Sequence, residues 1–131
     1  MHTYTLGTGT EPIRLSVDIS TLALAASRVL LVDLNSTSPG VSLALSADAS
    51  GDILLTDIGL PETLRNKRLS IFTKVDITGS DPVERKKEFD GIQATCVISN
   101  GAGGEVTFSD PQKTVDDNYL SAMVIQLIDL I

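Results

Sequence analysis

Residues 69–77 read Leu, Ser, Ile, Phe, Thr, Lys, Val, Asp, Ile, with apolar residues or Thr at odd positions and mostly polar ones at even positions. Side chains on an extended strand alternate faces with period two, so this segment has one face for a core and one for solvent. An isolated strand leaves its backbone donors and acceptors unpaired, so the segment requires a sheet around it. The alternation returns at 13–19, where Ile13, Leu15, Val17 and Ile19 interleave with Arg14, Ser16 and Asp18. It returns again at 41–47 and, less regularly, at 53–58 and 105–109.

Composition points the same way. There is no Trp, and only three Phe and two Tyr, so core volume must come from Leu, Ile and Val. Plentiful β-branched residues and Ser/Thr favour strands, while the excess of Asp over Glu suits turns better than helix interiors. A length of 131 residues fits one domain, and neither a composition shift nor an internal repeat divides the chain. A single domain over 1–131 is expected.

Turn chemistry sets the order of elements. Gly7, Gly9 and Pro12 separate a weakly alternating start from the strand at 13–19. Between 20 and 35 two patterns compete. Leu22, Ala25, Ala26, Val29 and Leu30 have helical spacing, but the β-branched run at 28–34 favours a strand over 27–34, preceded by a loop or a short helical turn. The turn-rich 35–40 follows. The runs 41–47 and 53–58, joined by a short loop containing Gly51, predict a hairpin. Residues 61–67 are a polar excursion, and 78–88 is a charged connection in which Ser80 or Asp81 caps a helical turn beginning at Pro82. Asn100 and Gly101 then predict a hairpin between 89–99 and 105–109. Residues 118–131 are apolar on both faces, as in a strand buried on both sides or one with a face awaiting a partner; a helix is the competing pattern. Eight or nine strands at this spacing imply an all-β fold, an antiparallel β-sandwich of jelly-roll or Ig-like kind with room for one short helix.

Chemistry is scarce. Cys96 is the only cysteine, which excludes an intrachain disulfide, and it lies in the apolar run 94–98 as a small buried hydrophobe. His2 is the only histidine and sits at the terminus, so Cys96 has no base in sequence to make it a nucleophile. Metal sites built on His or Cys are thereby excluded, leaving carboxylate calcium sites. Asp48, Asp52 and Asp57 form one acidic group and Asp110, Asp116 and Asp117 another. Neither matches a calcium-loop spacing, and turn chemistry accounts for them unless folding brings both groups to one end. Gly101, Gly103 and Gly104 do not make a phosphate loop, because a strand rather than a helix follows. Carbohydrate cleavage needs two acids at a set separation across a cleft, and few aromatics are present to stack on a sugar. No catalytic residue and no cofactor is expected.

The net charge of −7 argues against nucleic acid as a partner. No signal peptide is visible, and the longest apolar run, 29–32, is far short of a membrane span. A cytoplasmic location is the simplest expectation, although a virion component or an exported protein would read the same. Positive charge is concentrated: Arg65, Lys67, Arg68, Lys74, Arg85, Lys86 and Lys87 lie between 65 and 87, at both ends of the 69–77 strand. Arg65, Lys67, Arg68, Arg85, Lys86 and Lys87 are therefore candidate docking residues for an acidic partner or a second copy. Val124 and Leu127 of the apolar C-terminal segment are candidates for the same role. The expected function is a non-enzymatic structural or protein-interaction module within a larger or homo-oligomeric assembly, of the kind found in phage particles and injection machines. A small-ligand or carbohydrate-binding sandwich, with Tyr4, Tyr119 or a Phe in an exposed cleft, is the alternative, followed by an enzyme on a barrel fold.

Overall fold

The computed structural model describes residues 2–35, 37 and 39–131, so Met1 and, in the turn predicted at 35–40, Ser36 and Ser38 lie outside the described residues. Two sheets face each other around one core. The larger contains β1 (His2–Tyr4), β3 (Leu24–Asp33), β4 (Val41–Leu45), β6 (Lys67–Asp76), β9 (Gln112–Val115) and β10 (Ser121–Leu130). The smaller contains β2 (Ile13–Ser20), β5 (Ile53–Gly59), β7 (Gln93–Gly101) and β8 (Gly104–Phe108). Among the described residues two helices complete the fold, α1 (Pro61–Leu64) and α2 (Pro82–Asp90). The all-β sandwich expected from the alternation is the observed architecture.

In the larger sheet the order is β1-β10-β6-β3-β4, with β9 on the same edge of β10 as β1. The 69–77 alternation lies in β6 up to Asp76, at the centre of that sheet, and Ile77 follows the strand. Leu69, Ile71, Thr73 and Val75 are buried there, while Lys74 and Asp76 are exposed. In the smaller sheet the order is β5-β2-β7-β8. Inward side chains from both sheets meet in one core, among them Ile13, Leu15, Val29, Leu69, Ile71, Cys96, Ile98 and Ile128. Leu64 of α1, fully buried, joins that core.

Buried polar groups in this core are matched across strands. Ser27 and Thr73 are register partners on β3 and β6, and their hydroxyls meet at 2.7 Å in the interior. Tyr4, 1% exposed, donates its hydroxyl to the Gly104 carbonyl at 2.6 Å and accepts from the Gly101 amide at 2.9 Å. The β7–β8 hairpin predicted at Asn100 and Gly101 is present, and Asn100 and Gly104 have φ of 75° and 73°. Gly101 also packs on the Tyr4 ring: a Cβ there would come within 2.7 Å of Cε1 and 2.9 Å of the Thr5 carbonyl. Only a residue without a side chain permits that approach.

Several expectations are corrected. The runs at 41–47 and 53–58 do not pair: β4 joins β3 in the larger sheet and β5 joins β2 in the smaller. The intervening turn crosses between sheets, held by Asp52, whose carboxylate accepts from the Ile19 amide at 2.8 Å. The strand placed at 27–34 starts earlier, at Leu24, because the long pairing of β3 with β6 from Leu24 to Asp33 overrides the helical spacing. Phe89 and Asp90 end α2 rather than begin a strand. Asp81 is the cap of α2, accepting from the Glu84 amide at 2.9 Å, and Pro82 follows at the first helical position. The C-terminal segment is a strand, with Ala122, Val124, Gln126, Ile128 and Leu130 buried and the residues between them half-buried.

Candidate functional site

The basic residues that cluster in sequence separate in space. Residues 65–68 lie where β10 ends: the Asn66 amide donates to the Leu130 carbonyl at 3.0 Å, and Arg68 is the register partner of Asp129. Arg85 lies at the other end of β10, donating from Nε to the Asn118 carbonyl at 2.9 Å. Eight residues of β6, 69–76, stand between them, a span of roughly 26 Å. The connection at 78–88 does not fold back along the sheet, so the two groups form no single patch.

Most of these cations already have intramolecular partners. Arg65 donates to the Gly7 carbonyl. Arg68 grips Asp129 with both arms, at 2.7 and 3.4 Å. Lys86 pairs with Asp90 one turn along α2, at 3.0 Å. Lys67 is half-buried and Lys87 is exposed. Val124 is corrected outright: it points inward and is 2% exposed, so it is core rather than docking surface. Leu127 is half-buried on the opposite, outward face of the same strand.

That outward face is the distinctive surface of the molecule. Met123, Ile125 and Leu127 of β10 lie beside Lys74, Phe72 and Ser70 of β6, which in turn lie beside Ala26, Arg28 and Leu30 of β3. Leu45 of β4, 61% exposed, extends the Arg28 row to the sheet edge. Between these side chains is a recess of about 300 Å³, formed by Phe72, Leu30, Leu45 and Met123 with Arg28 and Lys74. The outer face of the smaller sheet differs. There Arg14, Ser16, Asp18 and Ser20 alternate outward on β2 beside Ser99, Val97, Thr95 and Gln93 of β7, the pattern expected where one sheet face meets water. Arg28 of this apolar face was not singled out from sequence. The signal for the face was the apolar character of residues 118–131 on both sides.

Other chemistry finds structural uses. Cys96 is buried in the core, where desolvation pushes its thiol up to about 12 and keeps it neutral. His2 contacts Asp110 at 2.5 Å and tilts against Phe108. The two acidic groups stay apart, because Asp48, Asp52 and Asp57 flank the β4 and β5 edges while Asp110, Asp116 and Asp117 flank β9 on the far edge. Asp48 accepts from the hydroxyl and amide of Ser50, which lowers its pKa, and Asp116 accepts from the Leu120 amide. Among the described residues, no three His, Cys, Asp or Glu side chains group to hold a metal ion. Tyr4 is buried, and Tyr119 packs edge-on to Phe89 with centroids 5.9 Å apart. A recess of about 580 Å³ beside α2 has no aromatic wall; its Glu88 is engaged by the Gly79 amide and the Thr78 hydroxyl. Among the described residues, no helix is long and apolar enough to cross a membrane.

Comparison with protein-family models, with curated proteins and with solved structures gives no match.

Proposed function

We propose that this chain is a non-enzymatic assembly module that presents the outer face of its larger sheet to another protein subunit. One observation carries the reading. A sandwich with water on both sides places polar residues on both outer faces; here β2 and β7 at the centre of the smaller sheet follow that rule and the centre of the larger sheet does not. On the larger sheet the half-buried Met123, Ile125, Leu127, Phe72 and Leu30 and the exposed Leu45 make the outer face largely apolar, with Lys74, Ser70 and Arg28 set among them. Contiguous apolar surface on a small soluble domain marks a place where another molecule sits. The buried thiol of Cys96 and the structural uses of the clustered acids fit a module that binds rather than catalyses.

Light scattering on size-exclusion fractions tests the reading with a matched pair of variants. Ile125→Asp puts a carboxylate in the centre of the apolar face, and Thr95→Asp puts one at an equivalent outward position on the smaller sheet. The first lowers the native mass and the second leaves it unchanged. Equal masses for both variants and the unmodified protein refute the reading.

A further inference from the structure

The exposed leucines of β5 supply a counterpart to that face. Between β2 and β5, Leu15 lies opposite Thr56 and Val17 opposite Ile53, so β5 carries one more residue than its partner over this interval. Such a bulge disrupts alternation. As a result two consecutive leucines are open to solvent, Leu54 at 85% and Leu55 at 57% exposure. The β4 edge beside it is bulged too, since Val29 and Leu30 face Ala44 and Ser42 and leave Leu43 extra. Bulged edges resist the addition of a further strand. This side of the sandwich therefore offers side chains to a partner, not a free backbone ladder.

Charge identifies the partner. Asp48 and Asp52 line the recess beside the two leucines, and Asp57, two residues beyond Leu55 on β5, pairs with Arg14 at 3.1 Å. On the outer face of the larger sheet, the recess floored by Phe72 carries Arg28 and Lys74, the latter 62% exposed and only loosely approached by Asp76 at 4.0 Å. One surface is apolar with an acidic border, and the other is apolar with a basic border, on a chain whose net charge of −7 otherwise makes copies repel. A cavity of about 150 Å³ accommodates a benzene ring, so a recess of about 300 Å³ has room for two leucine side chains. Resting on the assembly role proposed above, we infer that the partner is a second copy of this chain: Leu54 and Leu55 of one copy seat in the Phe72 recess of the next. The two surfaces adjoin at β4, whose Leu45 lines both, but the leucines and the recess are different residues; where each copy gives its leucines to one neighbour and its recess to another, the contact runs head to tail. Such a contact closes into a ring when the rotation between copies allows it and otherwise propagates as a filament.

Complementation distinguishes this contact from one in which two copies press the same recess face together. A Leu54→Arg, Leu55→Arg variant loses the projecting side chains but keeps the recess. An Arg28→Glu, Lys74→Glu variant loses the basic border but keeps the leucines. Each alone runs as a 13.9 kDa monomer, and an equimolar mixture gives a capped dimer of about twice that mass, whose formation also reports that both variants fold. A mixture that stays monomeric overturns the inference. So does a leucine variant that retains the native mass while the recess variant loses it, a result that leaves the assembly role standing. A monomeric unmodified protein overturns both. Disulfide trapping gives a second measurement: singly substituted Leu55→Cys and Lys74→Cys chains cross-link to each other when mixed and far less to themselves. Cys96 is buried and does not compete. Equal self- and cross-linking overturns the inference.

Discussion

Ser27 and Thr73 fix which side chains reach the outer face, and breaking their contact has a calculable cost. Their hydroxyls meet at 2.7 Å between β3 and β6, with the residues 3% and 1% exposed. On the same two strands, the neighbours Arg28 and Phe72 pair on the opposite side. A one-residue slip would bury the second pair and expose the first, so an inward polar pair helps to set register. Thr73→Val keeps the shape and removes one hydroxyl. It loses a hydrogen bond worth about 1 kcal/mol and leaves the Ser27 hydroxyl buried without that partner, for a total of about 2 kcal/mol. Ser27→Ala costs about the same by the mirror argument. The double variant removes both polar groups and costs about 1 kcal/mol, so the two changes are coupled by about 3 kcal/mol, since additivity would give about 4. Urea unfolding followed by circular dichroism reads all four proteins; with a slope of about 2 kcal/mol per molar, each single variant loses about 1 M in midpoint. A double variant whose loss equals the sum of the singles refutes the reasoning.

Two further predictions follow from named groups. The Cys96 thiol stays protonated up to about 12 in the folded chain, whereas in the unfolded chain it ionises near about 8.5. Stability from this group is full below the lower value and falls by about 1.4 kcal/mol per pH unit between the two; urea midpoints from pH 8 to 10.5 lose this slope in Cys96→Ala, and identical slopes in the two proteins contradict it. Lys113 of β9 donates its ammonium to the carbonyls of Phe89 and Ile92 at 3.1 and 3.3 Å, and stands 5.0 Å over the Phe89 ring, which ties β9 to the end of α2. Lys113→Met keeps the stem and loses about 1–2 kcal/mol of local stability, seen as faster hydrogen exchange at the α2 amides, and unchanged exchange there refutes the tie.

Local rules read well wherever a segment's own residues decide its structure. Alternation located β2 and β6, Asn100 and Gly101 located the β7–β8 hairpin, and Ser80 or Asp81 ahead of Pro82 located the start of α2, where Asp81 is the cap. The same rules failed where long-range pairing decides. Nothing within 41–58 shows that its turn crosses between sheets, because the hydrogen bond from the Ile19 amide to Asp52 joins residues distant in sequence. The four-residue strand β9 has no apolar alternation of its own and exists by pairing with β10. For the candidate site, proximity in sequence misled: extended strands carry residues 65–68 and 85–87 to opposite ends of the sheet. Arg28, Phe72 and Met123, distant in sequence, become neighbours only through the register of three strands. The apolar outward positions of the last strand were visible, but what lies beside them depends on that register.

The most direct test of the account is the sedimentation velocity of the unmodified chain, followed from low micromolar to several hundred micromolar concentration at low salt. Burial of the larger sheet's outer face between subunits predicts a mass above the 13.9 kDa monomer that grows with concentration and, with Arg28 and Lys74 at the contact, declines as salt is raised. A constant monomeric mass across the whole range would contradict it.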